Sequence, residues 1–362
     1  MTLEEILIER IINNGPLSIA EYMEQALTHP EHGYYMRRDP FGVNGDFITA
    51  PETSQMFGEL LGLWAGVSWM MAGSPSSVNL VELGPGRGTL MSDMMRAAPL
   101  VEGFAEAIEV HMVEVSPVLR AIQEQTLSEA ALCETPFWHS AFADVSEGTS
   151  IIIANEFFDA LPIEQYFKAG DYWCPRVVDV KPDSDGLCFV LLPPFDEPEI
   201  PPGLINAESN VMVEVCPTAL DLTADISQRI AEFGGAALFI DYGHVQSTSG
   251  ETLQALKNHK YHDPLIDPGE ADLTAHVDFA ALAQRVFASG ARAIGPIDQG
   301  NFLSALGINE RADSLLKEAS PKQAEDINCA LKRLTNAEEM GELFKVMAIV
   351  QQGAPIPPGF NL

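Results

Sequence analysis

The segment from Val81 to Thr89, V-E-L-G-P-G-R-G-T, combines an acidic residue with three alternate glycines. The apolar run 78–81 predicts a buried strand at its start, and apolar residues at helical spacing over 90–95 predict a helix after it. The glycines therefore lie at a strand-to-helix corner, where a residue without a Cβ atom lets the backbone pass close to a ligand. A glycine-rich turn without a ligand is the alternative interpretation, but the spacing favours a cofactor site.

The positions of the glycines separate two classes of cofactor. A dinucleotide-binding turn needs a small residue three positions after its second glycine, where helix and strand pack closely, and Thr89 stands there instead. The order acid-x-Gly-x-Gly-x-Gly is typical of methyltransferases that bind S-adenosylmethionine (SAM), whose methionine part the backbone passes. The residues of this segment predicted to bind SAM are Glu82, Gly84, Gly86, Gly88 and Thr89.

Two further acidic residues follow predicted strands and are candidates for the same cofactor. Glu114 ends the apolar run 108–113, and an acid at the tip of the second strand accepts hydrogen bonds from a ribose diol in doubly wound folds. Asp144 follows the third strand, where such folds contact adenine. A solvated carboxylate would explain Glu114 equally well if it stood alone, but the glycine turn before it favours the ribose.

The candidate catalytic residues are Asn155, Glu156 and Asp159, which follow a buried strand rich in isoleucine. Ligands of open α/β sheets bind at the carboxyl ends of the strands. Two carboxylates match the planar, forked donors of a guanidinium, so the pair indicates an arginine acceptor. The alternative is that Asp159 caps the next helix and Glu156 is solvated. Asp241 and His244 follow another apolar strand and are explained at least as well as strand-end hydrogen-bonding residues.

Composition limits the partners of the chain. Binding to phosphates needs clustered Lys and Arg, so a net charge of -32 argues against nucleic acid and anionic membranes and favours a neutral or basic partner. The five cysteines lack C-x-x-C spacing, which predicts reduced thiols and no metal site. The acidic start of the chain lacks a long apolar run, so no secretory or transit signal is expected and the predicted location is the cytoplasm.

Strands alternate with helices over residues 77–160, which predicts an α/β fold with a doubly wound, Rossmann-like parallel sheet. The SAM-binding domain is predicted to span 77–362 and to carry two insertions. The first, 163–216, consists of short β-like runs and is expected to be antiparallel. The second, 245–275, is polar and loop-like, and it is long enough to act as a lid over the active site. The apolar run 343–351 is expected to close the sheet as an edge strand.

Residues 1–76 are predicted to form a separate cap of helices and loops before the sheet. Ser18 and Glu21 have capping-box spacing at the start of its second helix. The loop over 29–51 is dense in glycine, aromatic and charged residues, which is typical of functional loops. A long apolar helix over 57–71 leads from this loop into the sheet.

Six segments together resemble the MidA family of SAM-dependent methyltransferases, and the resemblance covers nearly the whole chain. They are G-P-L-S-I-A-E-Y-M, L-T-H-P-E-H-G-Y-Y, G-D-F-I-T-A-P-E-T-S-Q-M-F-G-E-L, V-E-L-G-P-G-R-G-T-L, A-N-E-F-F-D-A-L-P and I-D-Y-G-H. The resemblance implies an arginine N-methyltransferase that acts on a protein client. Mitochondrial members of the family are assembly factors for respiratory complex I and methylate an arginine of a core subunit symmetrically, which makes such a subunit a candidate client. The resemblance, with the composition of the loop, also adds five residues to the SAM site: Gly45, Asp46, Thr49, Ser54 and Gln55.

Three other functions compete with this interpretation. A nucleotide-dependent oxidoreductase is disfavoured by Thr89 and by the lack of a hydride-transfer constellation. A nucleic-acid amino-methyltransferase also places Asn or Asp and an aromatic residue after the fourth strand, but the acidic composition opposes it. A non-catalytic assembly chaperone would have no need of Glu82, the three glycines or Glu114.

Overall fold

The computed structural model describes residues 1–40, 42, 49–129, 135–183, 186–194 and 198–361. Its helices are α1 (Leu3–Asn14), α2 (Ile19–Thr28), α3 (Tyr34–Arg37), α4 (Ala50–Thr53), α5 (Gln55–Met71), α6 (Thr89–Ala97), α7 (Phe104–Ala107), α8 (Pro117–Glu129), α9 (Pro217–Phe233), α10 (Phe279–Ala288), α11 (Gln299–Ala305), α12 (Ile308–Leu316) and α13 (Pro321–Thr335). Its strands are β1 (Leu17–Ser18), β2 (Val78–Leu83), β3 (Ile108–Val113), β4 (Phe137–His139), β5 (Ser150–Asn155), β6 (Glu164–Ala169), β7 (Tyr172–Val180), β8 (Leu187–Leu191), β9 (Met212–Val215), β10 (Gly235–His244), β11 (Gln254–Lys257), β12 (Lys260–His262), β13 (Asp272–Thr274), β14 (Val277–Asp278), β15 (Ala291–Asp298) and β16 (Phe344–Gln351).

The main sheet confirms the predicted doubly wound α/β fold. Its strand order is β15-β16-β10-β5-β2-β3-β4, and the five strands from β10 to β4 run parallel. All six residues of β2 and of β5 are buried, as expected for strands covered by helices on both faces. The carboxyl ends of β2, β3, β5 and β10 therefore meet at one edge of the sheet.

The last strand is not at the edge, so this part of the prediction is wrong. β16 pairs antiparallel with β10 on one side and with β15 on the other, which leaves β15 outermost. Six of the eight residues of β16 are buried. A short apolar run predicts a buried strand, but it carries no information about which neighbours flank it.

Helix α5 packs against the main sheet and against α6, although the sequence prediction counts it with the N-terminal cap. Its buried residues belong to the same core as those of β2, β5 and β10. A Cβ atom at Gly62 would lie 2.6 Å from the carbonyl oxygen of Met94, so glycine allows the two helices to approach closely. The boundary of the cap near residue 76 stays a prediction.

Helices α1 and α2 pack on a second sheet, built from the first insertion. β6, β7, β8 and β9 pair antiparallel, as predicted for 163–216, and β1 adds to β7 through Leu17 opposite Val178. The predicted capping box of α2 is present, because the Glu21 N–H donates to Ser18 Oγ and the Ser18 N–H donates back to the Glu21 carboxylate. The N-terminal segment is thus fixed to the insertion.

The second insertion is a small antiparallel sheet of β11, β12 and β13, so its predicted loop-like character is wrong. Its strands are three or four residues long, which is too short for a clear alternating pattern. Leu253, Ala255 and Leu273 bury their side chains in the core that α1 and α2 form. Within the described ranges, no helix is long and apolar enough to cross a membrane.

Candidate active site

A cavity of about 440 Å³ lies at the carboxyl ends of β2, β3, β5 and β10. The glycine turn after β2 and the loop after β5 line it, together with Leu27 of α2, Tyr35 of α3 and Leu256 of β11. Its titratable lining residues are Tyr35, Glu114, Glu156, Asp159, Tyr242 and Asp272. The N-terminal segment and the second insertion thus meet the main sheet at this cavity.

The predicted glycine turn has the backbone conformation that glycine alone adopts readily. Gly84, Gly86 and Gly88 have φ angles of 61°, 52° and 80°, and the Gly84 N–H donates to the carbonyl oxygen of Val113. A Cβ atom at Gly84 would lie 2.7 Å from Cδ2 of Phe157. The turn is therefore packed between the tip of β3 and the loop after β5, with Gly84 and Gly86 on the cavity wall.

Two buried acceptors beside this turn lack a partner. A second cavity of about 40 Å³ shares Gly84, Gly86 and Glu156 with the first and is also lined by Glu82, Asn155 and Thr49. Glu82 Oε2 and Asn155 Oδ1 are buried and accept no hydrogen bond from any described residue. Burial, with the charge of Glu114, raises the pKa of Glu82 well above its usual range. A cation such as the ammonium of an amino acid would satisfy both oxygens, so the residues present fit the methionine end of SAM.

Glu114 is buried at the tip of β3, on the opposite side of the turn. Its carboxylate accepts from the Ser116 N–H at 2.8 Å and from Gln123 Nε2 at 3.1 Å. Gln123 Nε2 also donates to the carbonyl oxygen of Gly86 at 2.8 Å. Burial raises the pKa of Glu114. The tip of β3 and the glycine turn are thus joined through one amide side chain, and Glu114 lines the cavity.

Several predicted cofactor residues lie away from the cavity. Asp144 is exposed, and its carboxylate accepts the Ala141 N–H within a 3₁₀ turn, so that Ala141 and Phe142 line the cavity in its place. Ser54 Oγ accepts the Met56 N–H at the start of α5, and Gln55 is exposed. Neither of these two residues lines the main cavity or the small one.

The N-terminal loop reaches the small cavity through other atoms. Thr49 is buried there, and its contact with SAM stays a prediction. Thr89 Oγ1 donates to Glu52, and Glu52 also forms an ion pair with Arg87 at 3.3 Å, so an acid of the N-terminal segment binds both residues at the end of the glycine turn. Gly45 and Asp46 lie outside the described residues.

The loop after β5 brings Glu156 and Asp159 into the cavity together, as predicted. Glu156 has a φ angle of 49°, which is rare for a residue with a side chain, and its Oε1 accepts the Ala50 N–H at 2.8 Å. Burial and the charge of Asp159 raise the pKa of Glu156 to about 7. Burial also raises the pKa of Asp159 to about 6, although a hydrogen bond from Tyr242 opposes this shift. Neither carboxylate is merely solvated.

The carboxylate of Asp241 accepts hydrogen bonds from the backbone of this loop. Its Oδ2 accepts the N–H groups of Phe157, Phe158 and Asp159 at 3.0 to 3.2 Å, and its Oδ1 accepts that of Tyr242 at 2.9 Å. The strand-end hydrogen bonding that the sequence suggests for Asp241 is therefore present.

Three polar residues of the cavity, Tyr35, Tyr242 and Asp272, were not predicted from the sequence. Tyr35 donates to Asp272 Oδ1 at 2.7 Å, and Tyr242 donates to Asp159 Oδ2 at 2.5 Å. The pair formed by Tyr35 and Asp272 joins α3 to the second insertion, and no local pattern reveals such a contact. Tyr242 directly follows Asp241 at the end of an apolar strand, and this position in the sequence could have identified it as a cavity residue.

The electrostatic character of the cavity is anionic. Four carboxylates line it, and among its described lining residues none is Lys, Arg or His. Buried carboxylates without cations are costly, which is why the pKa values of Glu114, Glu156 and Asp159 are raised. The arrangement is suited to cationic ligands.

Comparison with solved structures supports the cofactor. A protein from Burkholderia thailandensis, crystallised with S-adenosyl-homocysteine bound, is 29% identical, and the match covers 99% of this chain and 93% of that one with a TM-score of 0.86. The native crystal structure of a Burkholderia thailandensis protein has the same identity and coverage, with a TM-score of 0.82. SAM is therefore the cofactor, which sets aside a nucleotide-dependent oxidoreductase.

Curated relatives are similar over almost the full length. The Danio rerio protein arginine methyltransferase NDUFAF7, mitochondrial, is 40% identical over 95% of this chain and 86% of its own length. The Homo sapiens protein of the same name is 40% identical over 95% of this chain and 82% of its own length. Both relatives are named as mitochondrial proteins, so the predicted cytoplasmic location is wrong. The acidic composition and the lack of an apolar start in this sequence do not predict the compartment.

A family model described as "Putative S-adenosyl-L-methionine-dependent methyltransferase" matches residues 60–297, from within α5 to β15, which includes every strand of the main sheet except β16. This range contains the glycine turn, Glu114 and the loop after β5. The resemblance to the MidA family is thus confirmed, and the chain belongs to this family of SAM-dependent methyltransferases.

Proposed function

We propose that this methyltransferase transfers the methyl group of SAM to a guanidinium nitrogen of an arginine in a protein client. The observation that carries the proposal is the anionic cavity, with four carboxylates and no cationic side chain among its described lining residues. An arginine side chain and the sulfonium of SAM are both cations, and each would neutralise part of this charge. The names of the curated relatives agree with an arginine acceptor.

The cofactor would bind across the glycine turn. Glu82 Oε2 and Asn155 Oδ1 are the unpartnered acceptors available to its ammonium. Glu114 at the tip of β3 would accept from the ribose hydroxyls, because its carboxylate lines the cavity and has capacity beyond its two present bonds. The apolar side chain of Phe142 and the neighbouring Ala141 would contact the adenine.

The acceptor would bind on the other side, against the loop after β5. Glu156 and Asp159 can each accept from one edge of a planar guanidinium, and such charge-assisted bonds fix its orientation. Orientation matters because the attacking nitrogen must stand in line with the methyl group, at about 3 to 3.5 Å. Asp272 of the second insertion lines the same part of the cavity and would add a third acceptor.

The same carboxylates can take the proton that the reaction releases. SAM supplies a methyl group on a positively charged sulfur; as the new carbon–nitrogen bond forms, the carbon–sulfur bond breaks and one N–H proton must leave. Asp159 and Glu156, with pKa values raised to about 6 and about 7, can hold a proton near neutral pH and pass it to solvent.

The N-terminal segment and the second insertion would close the cavity over both ligands. Arg37 forms an ion pair with Glu270 at 2.7 Å, and Arg38 donates to the carbonyl oxygen of Glu270 at 2.9 Å. These contacts join α3 and the residue after it to the insertion, beside the pair formed by Tyr35 and Asp272. We propose this assembly as the cap of the active site, in place of the loop-like lid.

The finer proposal concerns the client. The resemblance to the MidA family points to a core subunit of respiratory complex I, and the net charge of -32 favours a basic segment around the arginine. A nucleic-acid substrate is disfavoured by the same charge.

Methyl transfer from tritiated SAM tests the proposal. Peptides with a single arginine in a basic context are incubated with the enzyme, and mass spectrometry locates the methyl group. We expect incorporation on the guanidinium, and none when lysine replaces arginine. Incorporation on lysine, or SAM binding without transfer to any arginine peptide or to purified complex I subunits, would contradict it; the second result would favour the non-catalytic chaperone.

A further inference from the structure

We propose that Asp241 is a positioning residue for the acceptor side of this active site. Its carboxylate holds the loop 156–159 so that Glu156 and Asp159 present their carboxylates to the arginine. The inference rests on the proposed arginine acceptor and goes beyond it, because Asp241 itself does not line the cavity.

The hydrogen bonds of Asp241 are directed at the backbone of this loop. The side chain is fully buried, and one oxygen accepts three consecutive N–H groups, those of Phe157, Phe158 and Asp159. These amides stand at the start of a three-residue 3₁₀ turn, Phe158–Ala160, where backbone donors lack a partner in the turn. This one side-chain oxygen satisfies all three at once.

The loop needs such support because its conformation is strained. Glu156 has the left-handed φ angle of 49°, which a residue with a side chain adopts only when its surroundings enforce it. The three supported amides follow Glu156 directly. Loss of the Asp241 carboxylate, which accepts these amides, would let the turn relax. The Glu156 and Asp159 carboxylates would then move away from the arginine substrate.

Three consecutive residues of β10 form hydrogen bonds with the loop 156–159. The Ile240 carbonyl accepts the Glu156 N–H at 2.9 Å, Asp241 accepts the next three amides, and the Tyr242 hydroxyl donates to Asp159 Oδ2. The end of one buried strand therefore fixes both the backbone and one side chain of the acceptor loop. Because both oxygens of Asp241 are occupied by backbone donors, its effect on the substrate must be indirect.

The test compares Asp241→Asn with Asp278→Asn. Both changes replace a carboxylate that accepts backbone N–H groups, but Asp278 caps α10 through the Ala281 N–H at 3.0 Å and lies outside the main cavity. Asparagine keeps one oxygen and has an NH2 group in place of the other, so either the three loop amides or the Tyr242 N–H must lose its acceptor. For an arginine peptide that the wild-type enzyme methylates, we therefore expect Asp241→Asn to lower kcat by about 30- to 100-fold and to raise KM, the scale of a small misplacement of reacting groups. The SAM affinity of both variants and the kcat of Asp278→Asn should stay near the wild-type values.

Three results would overturn the proposal. Wild-type kcat and KM in folded Asp241→Asn would show that the loop needs no such support. A fall in SAM affinity as large as the fall in kcat would assign Asp241 to the whole cavity rather than to the acceptor side. Equal losses in Asp278→Asn would show a general effect on stability.

Amide hydrogen exchange keeps the test independent of the proposed function. If the wild-type enzyme methylates no arginine peptide, the arginine proposal fails, whereas the role of Asp241 in the loop is still measured by exchange at residues 157–159. We expect these amides to be as protected as those of β10 in the wild type, and to lose protection in Asp241→Asn, or in Asp241→Ser, which shortens the side chain, if the asparagine variant does not fold. Rapid exchange of these amides in the wild type would show that Asp241 does not hold the loop in place.

Discussion

The proposed cofactor side and the proposed acceptor side of the cavity are built from the chain in different ways. The cofactor side is the glycine turn, a contiguous segment whose backbone conformation makes room for the ligand, joined to Glu114 on the next strand. The acceptor side joins Glu156 and Asp159 to Tyr35 and Asp272, two residues that are 237 positions apart. SAM affinity should therefore be sensitive to side-chain atoms added at the glycine turn, whereas turnover should be sensitive to the loss of carboxylate charge on the acceptor side.

The largest effect is expected from Gly84→Val. Valine at a φ angle of 61° is strained, and its Cβ atom would lie 2.7 Å from the ring of Phe157. We expect SAM affinity to fall by more than about 100-fold and turnover to disappear, since the turn cannot keep its path. Calorimetric titration with SAM measures the loss, and circular dichroism checks the fold.

Gly170→Val is the matched control for this change. Gly170 has a φ angle of 60°, but a Cβ atom there would meet nothing within 4 Å. This variant should lose some stability and keep its SAM affinity. An equal loss of affinity in both variants would mean that backbone strain, and not the cavity, explains the result.

The next largest effect is expected from Glu156→Gln, which keeps the shape of the side chain and removes its charge. We expect kcat to fall by about 100-fold or more, the size seen when a key electrostatic contact is removed, while SAM affinity stays within a few-fold. Tritium transfer and calorimetry, run in parallel, separate the two quantities. Normal turnover would exclude the carboxylate clamp, and loss of SAM affinity would move Glu156 to the cofactor side.

Glu114→Ala tests the outer part of the cofactor side. Loss of charge-assisted hydrogen bonds to the ribose should weaken SAM by roughly 1.5 to 3 kcal/mol, or about 10- to 150-fold. Part of this loss would come from Ser116 and Gln123, whose donors Glu114 holds in the structure. Gln123→Ala serves as the control, because it frees the Gly86 carbonyl without removing the charge. Unchanged affinity in Glu114→Ala would exclude the ribose contact.

The same contrast explains what could be predicted from the sequence. The glycine turn is local, so its spacing alone indicated the conformation and the cofactor, and the strand before Glu156 and Asp159 was apolar enough to place both acids at the sheet edge. Tyr35 and Asp272 meet only through tertiary packing, and no sequence period records that contact. The position of β16 in the sheet was missed for a similar reason, since burial does not specify neighbours.

A smaller effect is expected from pH, and it should concern the acceptor side. Burial raises the pKa of Asp159 to about 6 and that of Glu156 to about 7, above ordinary values of 3.8 and 4.5. The folded protein therefore binds protons that the unfolded chain has released, so these groups lower the free energy of unfolding as pH rises through this window. The affinity for a cationic acceptor should instead increase as pH rises, because the cation binds to the deprotonated carboxylates.

We expect the affinity for a one-arginine peptide to rise with pH by up to about tenfold per pH unit for each carboxylate that must lose its proton, and to level off above about pH 7. Titrations at several pH values, with Glu156→Gln as the control, measure this dependence. The variant should lose much of the slope. Peptide affinity that does not change with pH would mean that the carboxylates do not face the acceptor.

The smallest effect is expected from Asp144→Asn, and it defines where the cofactor side ends. Asp144 is exposed, and its carboxylate accepts the Ala141 N–H at 3.2 Å, a bond that the carbonyl oxygen of asparagine can also accept. The cavity wall at this point consists of Ala141 and Phe142, so SAM affinity should change by less than about twofold, as expected for a surface substitution. Phe142→Ala, which removes a buried ring from the wall, is the comparison and should weaken SAM clearly more. If Asp144→Asn instead weakens SAM by tenfold or more, the carboxylate contacts the adenine when the cofactor is bound, and the cofactor side extends beyond the strand tips to the 3₁₀ turn that follows β4.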